Sequence, residues 1–223
     1  MNDSKGSVSS QFARSALILA IAMVFSQLIG LLSKSLIGSI YGASAEVDAF
    51  LASNRLTETL FNLVAGGALG SAFVPAFSAL LDQNDKGDAW KLASNVANTI
   101  TAVLVLLCLL GFFFAPQIVR YILVPGFSLN DPALQLLTVK LLRIQLPSVV
   151  IFGLSGLIMG ILNANQHFLL PGLAPAMYQL GIIFGVIFLS KPLGIEGLAI
   201  GALCGSLLHL FVQLPQILRL RER

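Results

Sequence analysis

The chain has 223 residues, 57% hydrophobic and only 10% charged, with a mean hydropathy of +0.90. Soluble domains carry about 25% charged residues, so composition excludes a soluble fold and makes lipid the solvent for much of the surface. The 13 Lys+Arg and 10 Asp+Glu are scattered without aromatic interleaving, which leaves no footprint for nucleic acid.

Six apolar stretches follow in chain order: Ala16–Tyr41, Leu56–Leu81, Val96–Leu123, Leu134–Leu162, Pro171–Ser190 and Ile195–Leu218. Each reaches the ~20 residues that a helix needs to cross the hydrocarbon core. The first imitates a signal peptide, with Lys5 and Arg14 ahead and Ala43-Ser44-Ala45 behind. It is too long for such a segment and carries Lys34, so a retained first span is expected. The breaks hold charge or turn residues, including Asp82 to Asp88, Pro125-Gly126 to Asp131-Pro132, and Lys191-Pro192-Leu193-Gly194. A membrane barrel would instead show short alternating segments. The expected fold is all-α, a polytopic transmembrane bundle of about six spans.

Alternate flanks differ in charge. One set holds Lys5, Arg14, Lys86, Lys91, Arg219, Arg221 and Arg223; the other holds Arg55, Arg120 and Lys191. The positive-inside rule places the first set, and so both termini, in the cytoplasm. Glycines recur at four-residue spacing (Gly66/Gly70, Gly156/Gly160, Gly181/Gly185, Gly197/Gly201/Gly205), which allows helix backbones to approach closely in lipid. The run Gly66-Gly67-Ala68-Leu69-Gly70 lacks the lysine and strand of a phosphate loop.

Polar groups inside spans need a reason. Gln27, Gly30, Lys34 and Gly38 fall on one face of the first helix; Arg55, Glu58, Asn62, Gly66 and Gly70 form a similar stripe on the second. Facing stripes would line a polar cleft. Alternatively, Lys34 snorkels or pairs with Glu58 or Asp48 to close the bundle. Arg55 and Glu58 are spaced to neutralise each other, and Glu46 and Asp48 are placed to cap a helix. Lys140 and Arg143 lie a turn apart before Pro147, with snorkelling at the interface the simpler reading and a kink expected at the proline. Cys108 and Cys204 lie in apolar runs without metal-ligand spacing and read as packing residues. His167 and His209 have no metal partner at helical spacing, so a lone polar packing role is expected rather than ligation. No catalytic constellation or cofactor motif is present, so nothing argues for an enzyme.

Two blocks of residues carry a resemblance. The first runs from Gly30-Leu31-Leu32-Ser33-Lys34 through Tyr41-Gly42-Ala43-Ser44, Asp48-Ala49-Phe50 and Arg55-Leu56 to Ala65-Gly66-Gly67-Ala68 and Ser71-Ala72-Phe73-Val74-Pro75. The second comprises Leu142-Arg143-Ile144, Pro147, Gly160-Ile161-Leu162-Asn163-Ala164, Phe168, Pro171 and Ala174-Pro175. In this order they resemble the MurJ/MviN family, the lipid II flippases of the multidrug/oligosaccharidyl-lipid/polysaccharide exporter superfamily. The likeness covers nearly the whole chain.

The resemblance implies a multi-pass protein of the bacterial cytoplasmic membrane that moves undecaprenyl-pyrophosphate-linked peptidoglycan precursor (lipid II) outward by alternating access. Such proteins have two six-helix lobes around a cationic cavity, and residues 1–223 resemble the N-terminal lobe alone. A second lobe or a second copy is therefore an expected partner. The family's first-helix arginines are replaced by Gln27 and Ser33, with Lys34 following. An arginine pair is replaced by Phe61 and Asn62, and Gly66 stands in place of an acid. Fewer cations imply weaker pyrophosphate binding. The implied substrate residues are Lys34 and Arg55 as cations, Asp48 to orient them, and Gln27 and Asn62 lining the cleft. Export of another polyprenyl-linked glycan or a drug, or a non-transporting scaffold for cell-wall synthesis, are the alternatives.

Overall fold

The computed structural model describes residues 3–83, 85–125 and 131–222. The expected turn through Gly126, Asn84 in the polar loop and Arg223 lie outside the described residues, as do the side chains of Lys5, Arg14 and Arg221. Among these residues all the regular structure is helical: α1 Asp3–Tyr41, α2 Ala45–Asn62, α3 Val74–Asp82, α4 Lys86–Phe113, α5 Ala115–Ile118, α6 Pro132–Gln145, α7 Pro147–Ala164, α8 Leu169–Phe184, α9 Ser190–Leu193, α10 Glu196–Phe211 and α11 Leu214–Glu222. Three π-helical segments, Leu63–Phe73, Val119–Leu123 and Gly185–Leu189, continue neighbouring helices.

Among the described residues, five stretches are long and apolar enough to cross a membrane: Leu17–Tyr41, Lys86–Phe113, Pro132–Ala164, Leu169–Leu193 and Glu196–Leu220. The apolar helix Leu69–Asp82 is shorter. It is the end of a helical rod that starts at Ala45, eleven residues ahead of the apolar stretch at Leu56. The rod begins early because Ser44 caps it, accepting a hydrogen bond from Val47 N at 3.4 Å. Glu46 and Asp48 occupy its first turn, where they oppose the helix dipole rather than cap.

The α6–α7 break comes from Pro147, which has no N–H for the carbonyl of Arg143 and takes the first position of α7. Glycine governs the tightest contact. A Cβ on Gly181 would lie 2.2 Å from Gly205 Cα, and one on Gly185 would lie 2.5 Å from Gly197 O. Only glycine permits this approach of α8 to α10, the use expected from the glycine spacing. Elsewhere α1 lies against α8, α2 against α6, and α4 against α7. Ser26 Oγ donates to Gly172 O at 2.9 Å, and Tyr41 hydroxyl to Gly194 O at 2.7 Å, fastening α1 along this surface. Because α1 and α2 dock on different partners, they stand apart, and the space between them is the site described next.

Candidate functional site

Two adjoining cavities occupy the gap between α1 and α2. The first, about 410 Å³, is lined by Gln27, Lys34 and Asn62, all anticipated, together with Tyr178, Gln179 and His209. The second, about 470 Å³, is lined by Lys34, Arg55, Asn54 and Ser33. Glu58 and Gln179 border both cavities, as Lys34 does. The two polar stripes thus face one cleft, and Lys34 stands at the junction of its two halves.

Lys34 and Arg55 are exposed in the cleft, and no ion pair involves either among the described residues. The anticipated pairing of Lys34 with Glu58 or Asp48, and of Arg55 with Glu58, is therefore not formed. Glu58 instead accepts from Asn54 Nδ2 at 2.8 Å, and Asn54 Oδ1 accepts from the Tyr178 hydroxyl at 2.7 Å. This chain ties α2 to α8 and aims a carboxylate into the cleft beside two free cations. Asp48 borders neither cavity; it lies exposed in the first turn of α2 and pairs with no cation among the described residues.

The floor is aromatic. Phe152 contacts Phe61, Tyr178 and His209 with ring centroids 5.0, 5.2 and 5.4 Å away. His209 is 2% exposed, and its Nδ1 lies 2.6 Å from Ser155 Oγ. Gln213 Nε2 donates to Ser155 Oγ at 2.7 Å and to His209 O at 2.9 Å. The packing role expected for His209 is thus present, with an edge on the cleft added. Tyr178 and Gln179 were not singled out in the sequence, although they are the polar pair in an otherwise apolar run. Ser26 sits one residue before the first-helix stripe and likewise lines the cleft.

Outside the cleft, Lys140 pairs with Glu196 at 2.5 Å, bridging α6 and α10. Arg143 Nε donates to Phe112 O at 3.2 Å and lies over the Phe112 ring. Both basic groups that were read as snorkelling thus have specific partners. Among the described residues, no group of three or more His, Cys, Asp or Glu could hold a metal ion.

The described helices thus form a splayed bundle of membrane-spanning character, with a polar cleft open between the first two and cations inside. The family model "Lipid II flippase MurJ" matches residues 37–222, and the chain belongs to that family. It is a multi-pass protein of the bacterial cytoplasmic membrane. The chain is 32% identical over 194 residues to the probable lipid II flippase MurJ of Buchnera aphidicola subsp. Acyrthosiphon pisum (strain APS), covering 86% of this chain and 38% of that protein. It is 32% identical over 205 residues to the lipid II flippase MurJ of Thermosipho africanus (strain TCF52B), covering 92% and 41%. The chain therefore spans about two-fifths of the length of these relatives. Among solved structures, a lipid II flippase MurJ in an inward closed conformation superposes with a TM-score of 0.76 at 30% identity, over 91% of this chain and 42% of that one. A transporter of the MOP superfamily from Pyrococcus furiosus Vc1 (DSM3638) shares the fold, with a TM-score of 0.70 at 19% identity over 89% and 43%.

Proposed function

We propose that residues 1–223 form the N-terminal lobe of a lipid II flippase that works by alternating access, with both termini cytoplasmic. The observation carrying this reading is the cleft between α1 and α2, where Lys34 and Arg55 stand without ion-pair partners among the described residues. A pyrophosphate presents several anionic oxygens, and charge-assisted contacts to free cations are the strong ones. Gln27 and Asn62 are neutral donors in the other half of the cleft from Arg55, suited to the sugar and peptide of the headgroup. Tyr178 and Asn54 hold Glu58, and with it the spacing of α2 from α8. Asp48 acts at a distance, through the N-terminal turn of α2. The proposed partners are the lipid-linked glycopeptide, the surrounding membrane lipid and a second lobe.

The test is complementation. A full-length form containing this chain is expected to support growth when the resident flippase is depleted. Replacing Lys34 and Arg55 together by alanine is expected to abolish that growth while protein level in the membrane is unchanged. Undiminished growth of the double variant refutes the site assignment.

A second cargo class, another polyprenyl-linked glycan, is favoured by Glu58, which lowers the positive potential of the cleft. Binding of purified lipid II compared with an undecaprenyl-pyrophosphate carrying a different sugar separates the two.

A further inference from the structure

A second recessed surface shares no lining residue with the polar cleft. Along α4, Val105, Cys108, Leu109 and Phe112 fall at helical spacing and form one wall. Leu146, Pro147, Val150 and Ile151 form the other, across the break that Pro147 makes between α6 and α7. The enclosed groove measures about 440 Å³, and its only charged lining residue is Arg143. The groove floor is fixed by close packing of α4 on α7: a Cβ on Gly111 would meet Leu146 Cδ2 at 3.2 Å, and one on Gly153 would meet Leu104 Cδ1 at 2.1 Å. Cys108 lies halfway down, its thiol donating to Leu146 O at 3.1 Å.

The placement of the charge is the informative feature. Phe112 is the last residue but one of α4, so a guanidinium stacked 4.8 Å above its ring lies at the end of a membrane span. Leu109, Cys108 and Val105 then lead one and two turns into the hydrocarbon. Arg143 spends one N–H on the Phe112 carbonyl and pairs with no carboxylate among the described residues. No hydrogen bond or ion pair occupies its remaining donors among the described residues, and they suit a planar, multi-oxygen anion. The helix that supplies this wall is little covered by the rest of the described residues: only 6% of its most apolar window is buried among them.

A cation at headgroup level above an apolar trough is complementary to one class of molecule. We infer that this groove binds a single anionic membrane lipid, its phosphate on Arg143 and one acyl chain lying between Leu109 and Val150. The site is separate from the cleft proposed for the transported headgroup. Its occupant would brace the Pro147 break from the lipid side.

Cys108 supplies the test. With Cys204→Ser, the chain retains Cys108 as its one thiol, and the rate of its reaction with an uncharged, lipid-soluble maleimide reads groove occupancy. In phosphatidylcholine nanodiscs the reaction is expected to be fast, and adding phosphatidylglycerol is expected to slow it several-fold. Arg143→Gln is expected to remove the dependence on phosphatidylglycerol, and Arg143→Lys to retain part of it. Val150→Trp, which fills the trough without touching the cation, is expected to remove it as well. Equal rates with and without phosphatidylglycerol in the chain bearing Arg143 overturn the inference, a result that needs no groove variant to fold. Slowing that persists in Arg143→Gln overturns it too, as an effect of surface charge alone. Protection by soluble glycerol phosphate overturns the lipid assignment and leaves Arg143 a simple anion contact.

Discussion

Ser155 is one hydroxyl serving two buried neighbours, His209 and Gln213, from its position in α7. Removing it strands His209 Nδ1 and leaves Gln213 Nε2 only the His209 carbonyl, and an unsatisfied buried polar group costs about 1–3 kcal/mol. Ser155→Ala is therefore expected to lower the thermal midpoint of the detergent-solubilised chain by several degrees. Thr57 gives the contrasting case at the same scale. Its hydroxyl is buried and has no hydrogen-bond partner among the described residues, so Thr57→Val replaces an uncompensated polar atom with a methyl of similar size. That variant is expected to leave the midpoint unchanged or raise it, since burying an unpaired hydroxyl is the costly state. A drop comparable to that of Ser155→Ala would mean that Thr57 has a partner in the folded protein, such as bound water. Neither residue stands out in the sequence, where serine and threonine in an apolar run look alike. Which of them is a node is decided by what the bundle brings opposite, and α10 reaches Ser155 from more than fifty positions away.

Elements were more legible, because each carries its own periodicity. The glycines at Gly181, Gly185, Gly197, Gly201 and Gly205 read as a close helix crossing, and the crossing is there. The expected effect of Gly181→Ala is a loss of about 1–3 kcal/mol or more, because the new methyl meets the backbone of α10 rather than a side chain able to move. Gly38→Ala is its control. No atom lies within 4 Å of a Cβ at that position, and alanine in a helix is favoured over glycine by about 0.5–1 kcal/mol. Thermal unfolding of both variants should therefore move in opposite directions, and parallel shifts would show that the crossing is not what Gly181 serves. The early start of α2 was less legible. Residues 45 to 55 are too polar to register as a span, and a helix there is held by Ser44 and by packing on α6, not by hydropathy. The π-helical segments gave no local signal for the same reason: an extra residue per turn is a response to what the helix must pack around.

At the scale of the whole molecule, the span count and the topology constrain each other. Five stretches among the described residues are apolar enough to cross unaided, and an odd number of crossings would put the two termini on opposite sides. The topology proposed above from the charge on the flanks has them together. The two are reconciled if the rod from Ala45 to Asp82 also crosses, although only its second part is apolar. At 1.5 Å per residue its 38 positions extend for about 57 Å, ample for the hydrocarbon core of about 30 Å. Its polar first half can lie at membrane depth only where it lines water, since charge facing lipid is penalised. Arg55, Glu58 and Asn62 do face the cleft, so the site and the sixth crossing are one feature. A cysteine placed at Gln83, in a chain lacking Cys108 and Cys204, is accordingly expected to resist a membrane-impermeant maleimide added to intact cells and to react after lysis. A cysteine at Gly42 should react from outside. At Asn62, reaction should require a small hydrophilic reagent and should fall when a bulky anion occupies the cleft. Labelling of Gln83 from outside would mean that the rod does not cross, and a polar α2 would then lie at the surface, with Lys34 as the sole cation left within the membrane part of the cleft.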